Sequence, residues 1–291
     1  MKLASGFLYL GLPQWQHPHW RARYFESASN TTSALKLYSR LFNSVEGNTT
    51  FYALPNRKIL TQWNESTPDS FRFCFKFPQT ISHRQKLRFI HEELNQFYQV
   101  LAPLGAKAAI LWLQLPPAFS PNDLNLLEQF LNTLSTQYHY GIEVRHADFF
   151  DKADNEKRFF ELLRQYHFDR VMMDTRALFN SKLSTPAVMD AQRKKPKLPL
   201  HVSATGDRPL VRFIGDADLQ ANQDYLKQWV DTIATWLRLG KHPSMFIHTA
   251  DNADAPKLAR NFYELLVLSY PELQPQIDWE SNFRPVQAEL F

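Results

Sequence analysis

Short apolar runs alternate with amphipathic segments along most of the chain. Most of these runs are rich in branched or aromatic residues, a composition that favours β-strands. The runs predict eight strands, at residues 7–11, 43–47, 71–76, 108–114, 140–146, 168–174, 209–215 and 244–250.

Between the predicted strands, apolar residues recur at helical spacing. Asn56 and Asn155 stand where two of these segments begin, and Asp254 is followed by Pro256 in a first turn, both typical of helix starts. The helical signal is weak in one segment, residues 175–208. The predicted helices lie at residues 32–42, 56–66, 88–101, 122–134, 155–167, 221–239 and 254–269.

Strands that alternate with helices must pair in parallel, because each helix carries the chain back to the same end of the sheet. Eight repeats in about 260 residues favour a closed (β/α)8 TIM-like barrel with outer helices. An open, doubly wound sheet is the alternative. We expect residues 1–270 to form the barrel and residues 271–291 to form a polar tail.

Composition narrows the choice of partners. The 291 residues carry a net charge of +4 and have a pI of about 9.0, which favours anionic partners. The single cysteine, Cys74, excludes an internal disulfide and a zinc site with several cysteines, and its place between Phe73 and Phe75 predicts a buried thiol. We find neither a signal peptide nor a run of 18 apolar residues, so we expect a cytoplasmic protein without a membrane partner.

Nearly every predicted strand carries a polar side chain near its end, where barrels of this kind hold their reacting groups. The candidate catalytic residues are Glu46, Glu143 and Asp174. The candidate ligand-binding residues are Trp15, Trp20, Asn48, Thr50, Tyr52, Lys76, Gln114, Arg145, His146, Arg212 and His248. A plug of salt bridges that fills the barrel mouth is the alternative interpretation.

The mixture of charges favours a phosphate-bearing or other anionic ligand. Lys76, Arg145 and Arg212 would bind the anion. Glu46 or Glu143 would act as the general acid or base of a hydrolase or isomerase. With only 8 glycines the chain has no glycine-rich phosphate loop, so side chains would hold the ligand.

Two other chemistries stay open at the same residues. A glycosidase would use Glu46 and Glu143 as its two carboxylates, but three cations in the mouth suit a neutral sugar poorly. A divalent metal is not favoured because the same cations would repel it, and no other cofactor is indicated. The possible metal ligands are Glu46, Glu143, Asp174 and His248.

Five segments in order resemble the YecE-like family, a bacterial domain of unknown function with a TIM-like barrel. The segments are GLPQWQHPHW, FNSVEGNTTFYALP, TPDSFRFCFKFPQTISH, LWLQLPPAF and IEVRHADFF. The resemblance implies the barrel and a pocket but no established reaction. The positions that match the family pattern are Glu46, Lys76, Gln114, Glu143, Arg145 and His146.

Two further segments suggest nucleic-acid metabolism. The basic run RKKPK at 193–197 is interpreted as a solvated surface, with a lid or a contact to nucleic-acid phosphates as the alternative. The ending QAELF resembles the short peptide that docks on the DNA sliding clamp, through Gln287, Leu290 and Phe291. A non-catalytic adaptor that docks on the clamp is therefore the second functional hypothesis.

Overall fold

The computed structural model describes residues 6–24 and 33–272. Its eight strands form one parallel sheet in the order β1-β8-β7-β6-β5-β4-β3-β2, so the sheet curls into a nearly closed barrel and the predicted TIM-like fold is confirmed. Each predicted run overlaps one strand. The strands are β1 (Tyr9–Gly11), β2 (Ser44–Gly47), β3 (Arg72–Lys76), β4 (Ala108–Gln114), β5 (His139–Glu143), β6 (Asp169–Asp174), β7 (Leu210–Ile214) and β8 (Ser244–His248).

Helices surround the sheet. They are α1 (Trp20–Tyr24), α2 (Ala34–Leu41), α3 (Thr49–Tyr52), α4 (Arg57–Ser66), α5 (His91–Leu101), α6 (Leu124–Leu131), α7 (Asp154–Gln165), α8 (Arg176–Phe179), α9 (Pro186–Lys194), α10 (Gln223–Arg238) and α11 (Ala255–Ser269). No helix in this part of the chain is long and apolar enough to cross a membrane.

A helix lies within or overlaps each predicted helical segment, but of the start residues Asn56, Asn155 and Asp254 only Asn56 accepts a capping hydrogen bond. Asn56 caps α4 as expected, since its Oδ1 accepts from the Ile59 N–H at 2.9 Å. Asn155 does not cap α7, which starts one residue earlier, and Asp151 accepts from the Ala153 N–H instead. The weakly signalled segment 175–208 contains two helices, and a Thr185 cap followed by Pro186 begins the longer one.

Alternate strand residues face opposite sides of the sheet, and this alternation divides the core in two. On β3, Phe73 and Phe75 stack against Trp63 of α4, between the sheet and the helices. Cys74 faces the barrel interior and packs with Trp112 and other inward residues, so the predicted burial of the thiol is confirmed. The same alternation decides which charged residues can meet inside the barrel.

Side chains close the barrel where β1 lies beside β2. Asn43 accepts from the Leu10 N–H and donates to the Leu8 carbonyl, both at 2.8 Å. The Tyr38 hydroxyl accepts from the Leu12 N–H and donates to the Ser44 carbonyl, also both at 2.8 Å. These contacts replace ladder hydrogen bonds. The approach is so close that a Cβ on Gly11 would lie 2.2 Å from the Ser44 carbonyl oxygen.

Candidate functional site

Charged and polar side chains from six strands meet inside the barrel at the carboxyl ends of the strands. We call this group the mouth cluster. It consists of Glu46, Lys76, Gln114, Glu143, Arg145, Arg212 and His248, linked to one another by hydrogen bonds. All but Arg145 are no more than 8% exposed. The cluster brings together seven of the candidates chosen from sequence.

Arg212 on β7 occupies the centre of the mouth cluster. Its Nε and Nη2 each lie 2.9 Å from an oxygen of Glu46 on β2, and its Nη1 lies 3.1 Å from Glu143 on β5. Its guanidinium also lies over the Trp112 ring, 4.3 Å from the centroid. Burial alone would lower the pKa of Arg212, but the two carboxylates raise it above the ordinary value.

Glu46 is held as a carboxylate. Asn48 donates to its Oε1 at 2.7 Å, and the Nε2 of His248 lies 3.2 Å from its Oε2. Burial would raise the pKa of Glu46, yet Arg212 and His248 hold it well below the ordinary value. Burial lowers the pKa of His248 to about 4, so at pH 7 the ring is neutral and its Nε2 donates to the ionised carboxylate.

Lys76 has a different environment, because its hydrogen-bond partner is neutral. Its Nζ donates to the Gln114 Oε1 at 2.7 Å, and Arg145 donates to the same oxygen at 2.7 Å. The ammonium lies 3.5 Å above the Phe51 ring. Within residues 6–24 and 33–272, no carboxylate oxygen lies within 4.0 Å of this nitrogen. Mainly through burial, the pKa of Lys76 is lowered to about 7.

Glu143 faces the cations of the mouth cluster. Arg145 donates from Nε to its Oε1 at 2.8 Å, and Arg212 binds its other oxygen. Burial would raise the pKa of Glu143, but Arg145, Arg212 and Lys76 lower it in sum. Its carboxylate is therefore ionised at neutral pH and faces three different cations.

Lys195 also interacts with the mouth cluster, although the basic run that contains it predicts a solvated surface. It follows α9, is partly buried, and interacts electrostatically with Arg212, Glu46 and Glu143. Burial first, and then Arg212, lower its pKa to about 8. In the described part of the chain its ammonium has no hydrogen-bond or ion-pair partner.

The fold holds Lys195 in place through the segment that follows it. β5 and β6 pair at only two positions, and residues 196–201 lie over the resulting opening, beside Glu143 and Met173. The segment is anchored at His201, whose Nδ1 lies 2.8 Å from Glu156 of α7. It is also held at Pro196, whose carbonyl accepts from Thr175 at 3.2 Å.

His83 is a second residue that the candidate set lacks. It lies in a π-helical turn, Thr80–Arg84, directly after β3, and such turns are frequent at functional sites. Its ring centroid is 5.2 Å from that of Phe51, whose face carries Lys76. Burial, and then Lys76, lower the pKa of His83, so the imidazole is neutral at pH 7. The π-helical insertion, rather than strand-end position, places it here.

Asp174 lies apart from the mouth cluster, which corrects its choice as a catalytic candidate. It faces the helices: Trp229 of α10 donates to its Oδ2 at 2.9 Å, and Arg176 binds the same carboxylate at 2.9 Å. The reason is the alternation along β6, where Val171 faces the interior and Asp174 is an odd number of residues away.

The aromatic candidates after β1 pack within the fold. The Trp20 indole is 2% exposed, and its Nε1 donates to the Asn252 carbonyl at 3.0 Å. Trp15 packs edge-on against Trp63 of α4, with the ring centroids 4.8 Å apart. Both tryptophans therefore pack within the fold, and both also line a pocket beside Gln14 and His17 that contains no residue of the mouth cluster.

The remaining candidates lie at the rim of the barrel. Thr50 donates to the Lys76 carbonyl at 2.6 Å and so ties α3 to the end of β3. Tyr52, on the same helix, is 74% exposed. The His146 Nδ1 accepts from the Asp148 N–H at 3.3 Å and caps the turn Ala147–Phe150.

The geometry bears on the two alternative chemistries. A glycosidase needs a sugar between its two carboxylates, but Arg212 fills the space between Glu46 and Glu143. In the ranges 6–24 and 33–272, no three His, Cys, Asp or Glu side chains are grouped so that they could hold a metal ion. The clamp-docking residues Gln287, Leu290 and Phe291 lie outside the described residues, and that hypothesis stays a prediction.

Fold and site together define a TIM-like barrel with a buried charged cluster at the carboxyl ends of its strands. The chain belongs to the family described as "Protein of unknown function DUF72", whose family model matches residues 9–281. It is 41% identical over 266 residues to UPF0759 protein YecE of Escherichia coli strain K12, covering 91% of this chain and 95% of that protein. The resemblance to the YecE-like family is thereby confirmed.

Solved structures of distant relatives share the fold. A DUF72 family protein from Enterococcus faecalis aligns with a TM-score of 0.66 at 17% identity, covering 93% of this chain and 99% of that one. A DUF72 family protein from Thermotoga maritima aligns with a TM-score of 0.65 at 20% identity, covering 89% and 99%. At these identities the likeness supports the barrel fold alone and says nothing about a ligand.

Proposed function

We propose that the mouth cluster binds a small anionic ligand, with a phosphate or carboxylate group held by Lys76, Arg145 and Lys195. The observation that carries this proposal is Lys195, whose ammonium interacts electrostatically with Arg212, Glu46 and Glu143 but has no hydrogen-bond or ion-pair partner among the described residues. Together, Lys76, Arg145, Arg212 and Lys195 supply four basic groups against the two carboxylates Glu46 and Glu143.

Burying positive charge without a counter-ion is costly, and it lowers the pKa of an ammonium. Both Lys76 and Lys195 show this effect, with pKa values lowered to about 7 and about 8. A bound anion would supply the missing negative charge and raise both values. Binding should therefore be accompanied by proton uptake near neutral pH.

The cations divide into two roles. Arg212 serves as the fixed counter-ion of Glu46 and Glu143, because within residues 6–24 and 33–272 its guanidinium donates to these carboxylates and lies over the Trp112 face. Arg145 is half paired, with one carboxylate and one neutral oxygen as acceptors. Lys76 and Lys195 keep the capacity to bind an anion.

The decisive experiment is a phosphate titration by calorimetry of wild type and two neighbouring lysine variants. Removing Lys195 should weaken binding about tenfold to a hundredfold, because a hydrogen bond to a charged group contributes about 1.5–3 kcal/mol. Lys194→Met is the matched control, since this neighbour is exposed and paired with Asp190 at 2.6 Å.

Phosphate and chloride should be compared at equal ionic strength, so that general screening is removed. We expect wild type and Lys194→Met to bind phosphate equally and Lys195→Met to bind it weakly. Absence of phosphate binding by wild type, or equal affinity for all three proteins, would contradict the proposal.

A further inference from the structure

We propose that Lys76 is a nucleophilic amine that forms an imine with the carbonyl carbon of a small anionic aldehyde or ketone. This inference rests on the proposed function and adds a reaction and a substrate class to the same site. The anionic group of the substrate would be held by Lys195 and Arg145, and its carbonyl carbon would face the Lys76 Nζ.

The contacts of Lys76 suit a nucleophile better than a structural cation. A structural lysine is normally paired with a carboxylate, whereas the Lys76 Nζ bonds the neutral Gln114 Oε1 at 2.7 Å. Its other neighbours are aromatic faces, Phe51 at 3.5 Å and Trp112 at 5.9 Å from the ring centroids. Apolar walls and nearby cations both favour the uncharged amine, the form that attacks a carbonyl carbon.

The charges around Lys76 act in the same direction. Burial contributes most to its lowered pKa, Arg212 and Arg145 lower it further, and Glu143 and Glu46 oppose them. With a pKa of about 7, about half of the side chain is the free amine at neutral pH.

Imine formation balances without an oxidant or reductant. The amine attacks the carbonyl carbon, a C–N bond forms, and the carbonyl oxygen takes up a proton. The hydroxyl then leaves as water with a second proton while the C=N bond forms, so that amine and carbonyl give imine and water. The nitrogen loses two protons, and neutral His83 and ionised Glu143 are the nearby groups that can accept them.

Glyoxylate and acetaldehyde are a matched pair of probes, because the two small aldehydes differ in one carboxylate. Each is incubated with the full-length protein at pH 7 and cyanoborohydride, which reduces an imine to a stable secondary amine. Peptide mass spectrometry then gives the modified fraction at Lys76 and at the exposed Lys194. This design uses wild-type protein, so it does not depend on the folding of a variant.

We expect glyoxylate to modify Lys76 at least about tenfold faster than Lys194, because an ordinary lysine is almost entirely protonated at pH 7. Acetaldehyde shares the advantage of the free amine, but its preference for Lys76 should be smaller than that of glyoxylate, since it lacks the anionic group. Inorganic phosphate should protect Lys76 and leave Lys194 unaffected. Lys195→Met should slow the reaction of Lys76 with glyoxylate but not with acetaldehyde.

The inference fails if Lys194 reacts with glyoxylate and Lys76 does not, or if Lys195 is modified in preference to Lys76. In either case, the proposed function would still be supported if the calorimetric titration showed the expected phosphate binding. Equal preference for Lys76 with both aldehydes would overturn the anionic substrate class, and a failed phosphate titration alongside it would show that the anion site itself is wrong.

Discussion

Arg212 and Glu46 form a bidentate ion pair across the inside of the barrel, with two N–O distances of 2.9 Å between β7 and β2. The two residues are 166 positions apart in sequence. Because both are almost fully buried, the pair links β7 to β2 inside the barrel at the level of the site. Arg212 also binds Glu143 on β5, so the same guanidinium helps to position a second carboxylate.

Replacing Arg212 with methionine should destabilise the fold strongly. Removing one partner of a buried ion pair costs about 3–5 kcal/mol, because the remaining charge is left in the interior. Here two carboxylates would lose their shared cation. We expect the free energy of unfolding, measured by urea denaturation at pH 7, to fall by at least that amount.

Arg193→Met is the control for Arg212, because Arg193 is 77% exposed in its pair with Asp190. Exposed pairs contribute about 0–1 kcal/mol, so this variant should unfold almost as wild type does. Similar losses in the two variants would show that the central pair has no special structural role.

Tyr38→Phe tests the seam of the barrel, which is the place where side chains join β1 to β2. It removes one hydroxyl and orphans two buried backbone groups, the Leu12 N–H and the Ser44 carbonyl. We expect a loss of about 1–3 kcal/mol in urea unfolding. Tyr166→Phe is the matched control, because its hydroxyl bonds Asn132 at the exposed surface. If the control loses as much stability as Tyr38→Phe, the seam does not depend on this hydroxyl.

Asp174→Asn separates stability from binding. Asp174 holds Trp229 and Arg176 on the helix side of the sheet, so its replacement should cost about 1–3 kcal/mol in unfolding free energy. Phosphate affinity should stay within about twofold of wild type, because the carboxylate does not face the mouth cluster. A loss of phosphate binding in folded Asp174→Asn protein would show that Asp174 does contribute to the binding site.

The barrel and most of the mouth cluster could be predicted from the sequence. Strand and helix periods are local signals, so the elements can be predicted. Ionisable residues inside apolar strands, such as Glu46 and Arg212, are expected to meet in the barrel interior, because an unpaired charge is costly to bury. Position near a strand end does not say which face a side chain takes. Asp174 was chosen on position alone, and the two-residue alternation along β6 turns it outward.

Lys195 and His83 could not be found by the same reasoning. The placement of Lys195 depends on how residues 196–201 fold back over the gap between β5 and β6, which no local pattern encodes. Neighbouring charges in the same run, such as Lys194, do lie on the exposed surface. His83 enters the site through a π-helical turn, and this rare geometry has no sequence signature.

Lys76 gives the protein a specific dependence of stability on pH. Its pKa is about 7 in the folded chain and 10.5 in the unfolded one, so the unfolded chain binds the extra proton between these values. Stability rises with pH wherever the unfolded state binds more protons. The contribution of Lys76 to the free energy of unfolding should therefore rise by up to about 1.4 kcal/mol per pH unit above pH 7.

Urea unfolding of wild type and Lys76→Met from pH 7.5 to about pH 9.5 measures this contribution as a difference, because all other titrating groups, Lys195 included, are common to both proteins. We expect wild type to gain stability relative to the variant as the pH rises, and below about pH 7 the difference should become constant. Lys194→Met, which removes an exposed lysine, should follow wild type throughout. Parallel curves for wild type and Lys76→Met would show that Lys76 stays protonated in the fold, and would remove the free amine on which imine formation depends.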